Sequence, residues 1–484
     1  MSFALAAICL PLFATVFLAL AGSPLLGARI NLGLSTAVFA LTLGVVSHPG
    51  HGLVAADPLG AIFGVLTGFV SLTIGVSNIG FVRCEQAGFS HRQWRVYHAL
   101  CQMVLGSTLL GLYADNIGLL WAATEGATLA CIFGVGLPRT ATALEAAWKY
   151  FILGGVGIAL ALFGTMLVYL AAQPALGPGL PALSLIALSA HAGRLDGSLL
   201  TLAFVFLLFG YGTKAALVPL HGWLPDAYAE GPAPLTTALS GLTLNVALIA
   251  ILRFRHLLQA NRLEGGAAMP PGPFLLVLGL ASILLTAFSL SRRRDSRRFF
   301  GFSSIEHSGL AVFAFGVGGA TAIFGGLLHM VIHTLIKSAL FQALIRAASF
   351  RGGAGAGQFG FSHLRGMMAA NKYLAWVLGA CVFALTGLPP SGLFVSEFII
   401  ISQTIQREPL AALPLGLGLA LCALAVIRTI GPMVIGPPPK PVTPTKAGVT
   451  AHLASLHLIL AFGVAFAMPW FLVRALSAIA VALR

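Results

Sequence analysis

The chain has 484 residues, of which 58% are apolar and 8% charged, with a formal net charge of +14. Soluble domains carry about 25% charged residues, so a water-soluble enzyme is excluded. A membrane β-barrel is excluded too, because its strands alternate in polarity and these apolar runs are continuous.

Runs of roughly 20 apolar residues, each long enough to cross a ~30 Å hydrocarbon core, recur along the whole length. They predict an all-α, polytopic integral membrane protein with about fourteen transmembrane helices. The spans fall near 2–21, 29–47, 58–80, 96–113, 116–136, 143–171, 198–221, 234–254, 272–290, 298–318, 321–348, 371–405, 410–435 and 450–474. The first run, "ALAAICLPLFATVFLALAG", lacks the basic flank of a signal peptide and reads as a retained helix. No separate soluble domain is expected. "SRRRDSRRFF" and "SFRGGAGAGQFGFSHLRG" are loop-sized, and "GPPPKPVTPTKAG" is a stiff connector.

Alternating the loops places 17 basic residues on one side and 7 on the other. The richer side is cytoplasmic, so both termini face outward. Scattered in this way, the basic residues set topology, and no nucleic-acid partner is expected. One stretch, 253–262, disagrees, with three arginines on the outer side.

Several ionisable residues remain inside the spans. Glu125 lies in "LLWAATEGATLAC", and Glu145 and Lys149 stand at i and i+4 where the sixth span begins. Lys214 precedes Pro219, which opposes continuation of the seventh span. His221, Asp226 and Glu230 follow that break. Glu306 and His307 lie in "FSSIEHSGLA"; His329, His333 and Lys337 step by four along one helix face. A second break, Pro389 and Pro390, precedes Glu397. Arg428 sits near a helix end, where it can snorkel outward.

A charge at the bilayer centre costs about 2.5–3.5 kcal/mol even on the lenient insertion scale. Such residues therefore face one another or water. Two readings follow: packing ion pairs, or a line of groups that pass protons. Two broken helices with adjacent charge favour an ion path at the midplane. For Glu145, Lys149 and His221 the choice is between proton uptake and a solvated helix surface.

The pair His329/His333 has metal-like spacing, but no Glu stands between and the third member is a cation, so no metal is expected. The six cysteines, 9, 84, 101, 131, 381 and 422, show no cluster spacing, so no cofactor is expected on this chain.

The segments "KAALVPLHGWLPDAYAEGPAP" and "SGLTLNVALIAILRF" resemble the signature of the antiporter-like subunits of respiratory complex I, Mrp sodium/proton antiporters and membrane-bound hydrogenases. "NIGLLWAATEGATLA", "LEAAWKYFILGGVGIALALFG" and "FSSIEHSGL" look most like component F of hydrogenase-4-type complexes. The resemblance covers about residues 100–405. It implies three N-terminal helices (1–95) and a first five-helix repeat (96–255). A second, inverted repeat (272–435) and a C-terminal helix with its tail (450–484) follow. It also implies proton pumping by this chain, with redox chemistry on partners: other membrane subunits and a soluble hydrogenase or dehydrogenase on the cytoplasmic side of a bacterial or archaeal inner membrane.

By the same resemblance, Glu125 matches the glutamate of the fifth helix and Lys214 the lysine of the broken seventh. His333 and Lys337 match positions of the eleventh helix, and Glu397 the acidic position of the broken twelfth. Complex I members often carry a lysine on the eighth helix where this chain has Asn245. The expected relay is Glu125, Lys214, Glu306, His307, His329, His333, Lys337 and Glu397. Glu125 and Lys214 form its switchable pair, about 8 Å apart and coupled by about 2 kcal/mol. The alternatives are a sodium/proton antiporter subunit and a non-pumping anchor of a hydrogenase or inorganic-carbon uptake complex.

Overall fold

A computed structural model describes residues 2–20, 22–85, 88–290, 295–349, 359–438 and 446–484. Arg292, Arg293, Arg294, Arg351 and Lys440, counted above as cytoplasmic charges, lie outside the described residues.

The helices start where capping chemistry is available. After α1 (Phe3–Leu20), α2 (Pro24–Ser47) begins on a proline, whose missing N–H is no loss in a first turn. A small hairpin, Gly50–His51 with Val54–Ala55, leads into α3 (Pro58–Glu85). A reciprocal Ser90–Gln93 capping box opens α4 (His91–Tyr113). Asn116 and Thr140 cap α5 (Ile117–Val135) and α6 (Ala141–Leu176). A short α7 (Leu185–Ala190) lies in the loop that follows.

The broken seventh span is α8 (Gly197–Lys214) followed by α9 (Trp223–Glu230). The eighth runs as α10 (Ala233–Ala238) into α11 (Leu244–Leu263) through a π-helical turn at Leu239–Thr243. Then come α12 (Gly272–Leu290), α13 (Ser296–Val317), α14 (Gly319–Ser349) and the short α15 (Met367–Ala370). The second broken span is α16 (Lys372–Leu385) and α17 (Gly392–Arg407). The chain closes with α18 (Pro409–Ile435), α19 (Val449–Ala467) and α20 (Trp470–Ala482).

Among the described residues, 12 helices are long and apolar enough to span a membrane. The polar-lined α13 and the α16–α17 pair supply two more, which restores the expected fourteen.

Two boundaries differ from expectation. The eighth span continues to Leu263, so Arg253 and Arg255 are helix residues and not loop charges. Arg253 is buried, paired with Asp57 at 2.9 Å and donating to the Leu112 carbonyl. Arg255 is buried and donates to the Leu483 carbonyl. Both guanidinium groups are thus engaged by protein partners within the fold. The fourteenth span stops at Ala467, and Pro469 starts the separate α20, which packs on α14.

α13 and α14 are buried over nearly their whole length and form the centre of the molecule. Apolar side chains such as Phe17, Trp148, Phe163 and Leu413 face outward from peripheral helices. Small residues let backbones close up inside: a Cβ on Gly210 of α8 would meet the Ala161 backbone nitrogen of α6 at 2.6 Å.

Candidate functional site: polar clusters at two broken helices

The first break is held by specific hydrogen bonds. Where α8 ends at Lys214, the Thr213 carbonyl accepts from the indole of Trp223 at 2.8 Å. The Val218 N–H donates to the Ser282 hydroxyl at 3.1 Å. Trp223 stacks on Tyr150 of α6, with centroids 3.9 Å apart and planes 7° from parallel. The backbone freed by Pro219 thus finds protein partners inside the bilayer, as it must. Both breaks contain a cis X–Pro bond, Val218–Pro219 and Pro389–Pro390.

Lys214 is 4% exposed, and its ammonium lies 3.5 Å from the Glu125 carboxylate, which is 23% exposed. The pair is tighter than the 8 Å expected. At an effective dielectric of 20, its gross attraction is about 5 kcal/mol before desolvation is counted. A cavity of about 10 Å³ adjoins it, lined by Ser107, Thr108, Thr124, Thr128, Tyr150 and Thr243 among others. That volume is the least that holds one water.

At the start of α6, Glu145 and Lys149 form the expected i, i+4 pair at 2.7 Å. The fold adds partners that spacing could not reveal. Lys149 bonds Asp226 of α9 at 3.0 Å, and Arg298 of α13 bonds Asp226 at 3.2 Å and Glu230 at 2.9 Å. The network ties three helices together at the mouth of the first break. His221 stands apart from it, its ring edge-on to Phe302.

The second cluster forms where α13, α14 and α17 meet. The His307 Nδ1 and His329 Nε2 atoms are 3.1 Å apart, and the His329 Nδ1 is 3.0 Å from the Ser396 hydroxyl. The His333 ring lies 4.7 Å from that of His307. Donor atoms of His307, His329 and Glu397 all lie within 4.8 Å of one another. Among the described residues the fold thus brings His307 of α13 and Glu397 of α17 beside His329, neighbours that spacing along the sequence does not give.

Lys337 donates to the Phe300 carbonyl at 2.8 Å and lies over the Phe300 ring. Glu306, 5% exposed, interacts electrostatically with Lys337. Glu397 sits in the second break, its carboxylate against Gly387.

Polar groups outside the expected relay add to the buried set. Asn245, at the position where a lysine is common, donates to Thr334 of α14 at 2.8 Å and to the Gly241 carbonyl at 3.1 Å. Thr237, Ser303 and Ser338 carry buried hydroxyls without a partner among the described residues. On another face of α14, Gln342 meets Thr73 and Ser77 of α3 and His457 of α19. α14 therefore carries three polar faces. Thr124 and Thr128 were findable as neighbours of Glu125, and Ser396 as a neighbour of Glu397. Gln342 and His457 give no signal, since their pairing joins distant segments.

Arg428 is exposed on α18, as a snorkelling residue would be. Another cavity, about 990 Å³, opens beside Asp57, Asp115 and Arg253 and contains none of the expected relay residues.

Comparison with known proteins places these clusters in context. Residues 114–422 match the family described as NADH:quinone oxidoreductase/Mrp antiporter, TM. A hydrogenase-4 component F homolog from Methylacidiphilum infernorum is 44% identical over 418 residues, covering 86% of each chain. Among solved structures, a chain of an archaeal membrane-bound sulfane sulfur reductase superimposes with a TM-score of 0.86 at 20% identity, covering 100% of this chain and 98% of that one. A chain of Thermus thermophilus respiratory complex I gives 0.77 at 23% identity, covering 98% of both. At these identities the two structures establish the fold.

Proposed function

The chain belongs to the NADH:quinone oxidoreductase/Mrp antiporter transmembrane family, and on that premise we propose that it is the proton-translocating membrane-arm subunit of a multisubunit, redox-driven complex of hydrogenase-4 type. The observation that carries the reading is the Lys214–Glu125 pair, buried beside a water-sized cavity at the end of a broken helix.

Protons enter from the cytoplasmic network of Glu145, Lys149, Asp226, Glu230 and Arg298. Lys214 holds a proton while Glu125 stands beside it, and releases it when Glu125 withdraws or another cation approaches. The proton crosses through the hydroxyl-rich region of Asn245, Thr334 and Ser338, with water joining groups too far apart to touch. Lys337, Glu306 and the three histidines hand it to Glu397, which discharges outward. Asn245 cannot titrate, so the crossing that a lysine performs elsewhere falls here to hydroxyls and water.

The halves 96–255 and 272–435 act as inverted repeats, each with one broken helix. Other membrane subunits flank the chain in an inner membrane, with both its termini outside. A soluble redox module on the cytoplasmic side carries the cofactors and biases the Lys214–Glu125 pair from a distance, a coupling between sites.

The test is proton uptake by inverted vesicles bearing the complex. Lys214→Ala and Glu397→Gln are expected to abolish acidification while the complex assembles and electron transfer persists. Either variant pumping at the wild-type ratio refutes the relay. Sodium-dependent flux lost in the same variants would favour the sodium/proton alternative.

A further inference from the structure

We propose that His307, His329 and Glu397 form an intramembrane binding site for a divalent transition-metal ion of the Zn²⁺ class. The three residues come from three helices, and their donor atoms lie within 4.8 Å of one another. In a tetrahedral site with ligand bonds of about 2.0–2.2 Å, neighbouring donors stand about 3.3 Å apart. The His307 Nδ1 and the His329 Nε2 are already 3.1 Å apart, so small side-chain rotations bring the carboxylate in.

Three further observations point the same way. The other nitrogen of His329 is 3.0 Å from the Ser396 hydroxyl, the outer hydrogen bond that orients a metal-ligating imidazole. His333, whose ring is 4.7 Å from that of His307, has a buried Nε2 with no partner among the described residues and is the candidate fourth ligand. The donor set, imidazoles with one carboxylate, suits zinc and its neighbours; magnesium and calcium prefer oxygen alone. Against the site stands Lys337, one turn from His333. Its ammonium is engaged by the Phe300 carbonyl and ring and by the charge of Glu306.

A dication here takes the nitrogens that the relay needs, so Zn²⁺ should block proton movement. That consequence rests on the function proposed above; the binding itself does not.

The complex, stripped with chelator and titrated with Co²⁺ as a visible probe, is expected to take up one Co²⁺ per chain with tetrahedral absorption. His329→Ala should lose this signal, and Ser396→Ala should weaken it about 10–100-fold. His329→Cys should retain it, with a new thiolate charge-transfer band. The surface variant His452→Ala should change nothing. Wild-type complex without the Co²⁺ signal, or a signal unmoved in His329→Ala, overturns the site and leaves the relay standing. Site-specific binding of Zn²⁺ that leaves proton flux unchanged supports the site and overturns the relay.

Discussion

Gly387 occupies a position that no side chain can share with Glu397. A Cβ there would overlap the glutamate Oε2, and the backbone φ of 62° is unfavourable for any residue with a side chain. Gly387→Ala should therefore push the carboxylate out of the second break without adding or removing a titratable group. Vesicle acidification is expected to fall to the level of Glu397→Gln, while the amount of assembled complex stays near wild type. Unchanged acidification would mean that the carboxylate position does not matter. The importance of Glu397 is legible in the sequence, because a carboxylate in an apolar run needs a reason. The need for Gly387 is not, because it arises from a contact across ten residues of broken helix.

At the scale of elements, the breaks work because neighbours satisfy their backbone and fix their ends. Trp223 caps the carbonyl at the end of α8 and stacks on α6, so α9 is placed by an aromatic plate and by ion pairs to α6 and α13. A different clamp joins α3, α4 and α11: Arg253 bridges Asp57 and the α4 carbonyls. Asp57→Asn removes the charge that compensates a buried guanidinium. Because Asp57 is itself 44% exposed, the loss should be moderate, about 1–3 kcal/mol. It should appear as a lower melting temperature of the solubilised protein, with pumping per assembled complex unaltered; an unchanged melting temperature would count against the clamp. The sequence read Arg253 as a loop residue because an arginine after an apolar run usually marks its end. Only the partner just before α3, 196 residues away, shows why this one continues the helix.

For the whole molecule, the alternation of loops predicts sidedness, and one labelling experiment tests it. In intact cells a membrane-impermeant maleimide should modify Arg262→Cys, at the outer end of α11. It should reach Arg92→Cys, at the start of α4, only after permeabilisation. The reverse pattern would invert the topology and, with it, the direction assigned to uptake and release. Span number, both breaks and most titratable groups of the two clusters were readable from composition and spacing, Arg298 being an exception. Those signals are local, and the bilayer makes each polar exception conspicuous. Partner choice was not readable, because His307 with His329, or Lys149 with Asp226, meet only after distant helices pack.

The three polar faces of α14 have a mechanical corollary. At 3.6 residues per turn, Thr334 lies about 140° around the axis from His329, and Gln342 about 80° further. Each face is locked to a different neighbour, so any twist of the rod breaks bonds on all sides at once. α14 is thus a rod pinned on three sides, by α17, α11 and the α3–α19 pair.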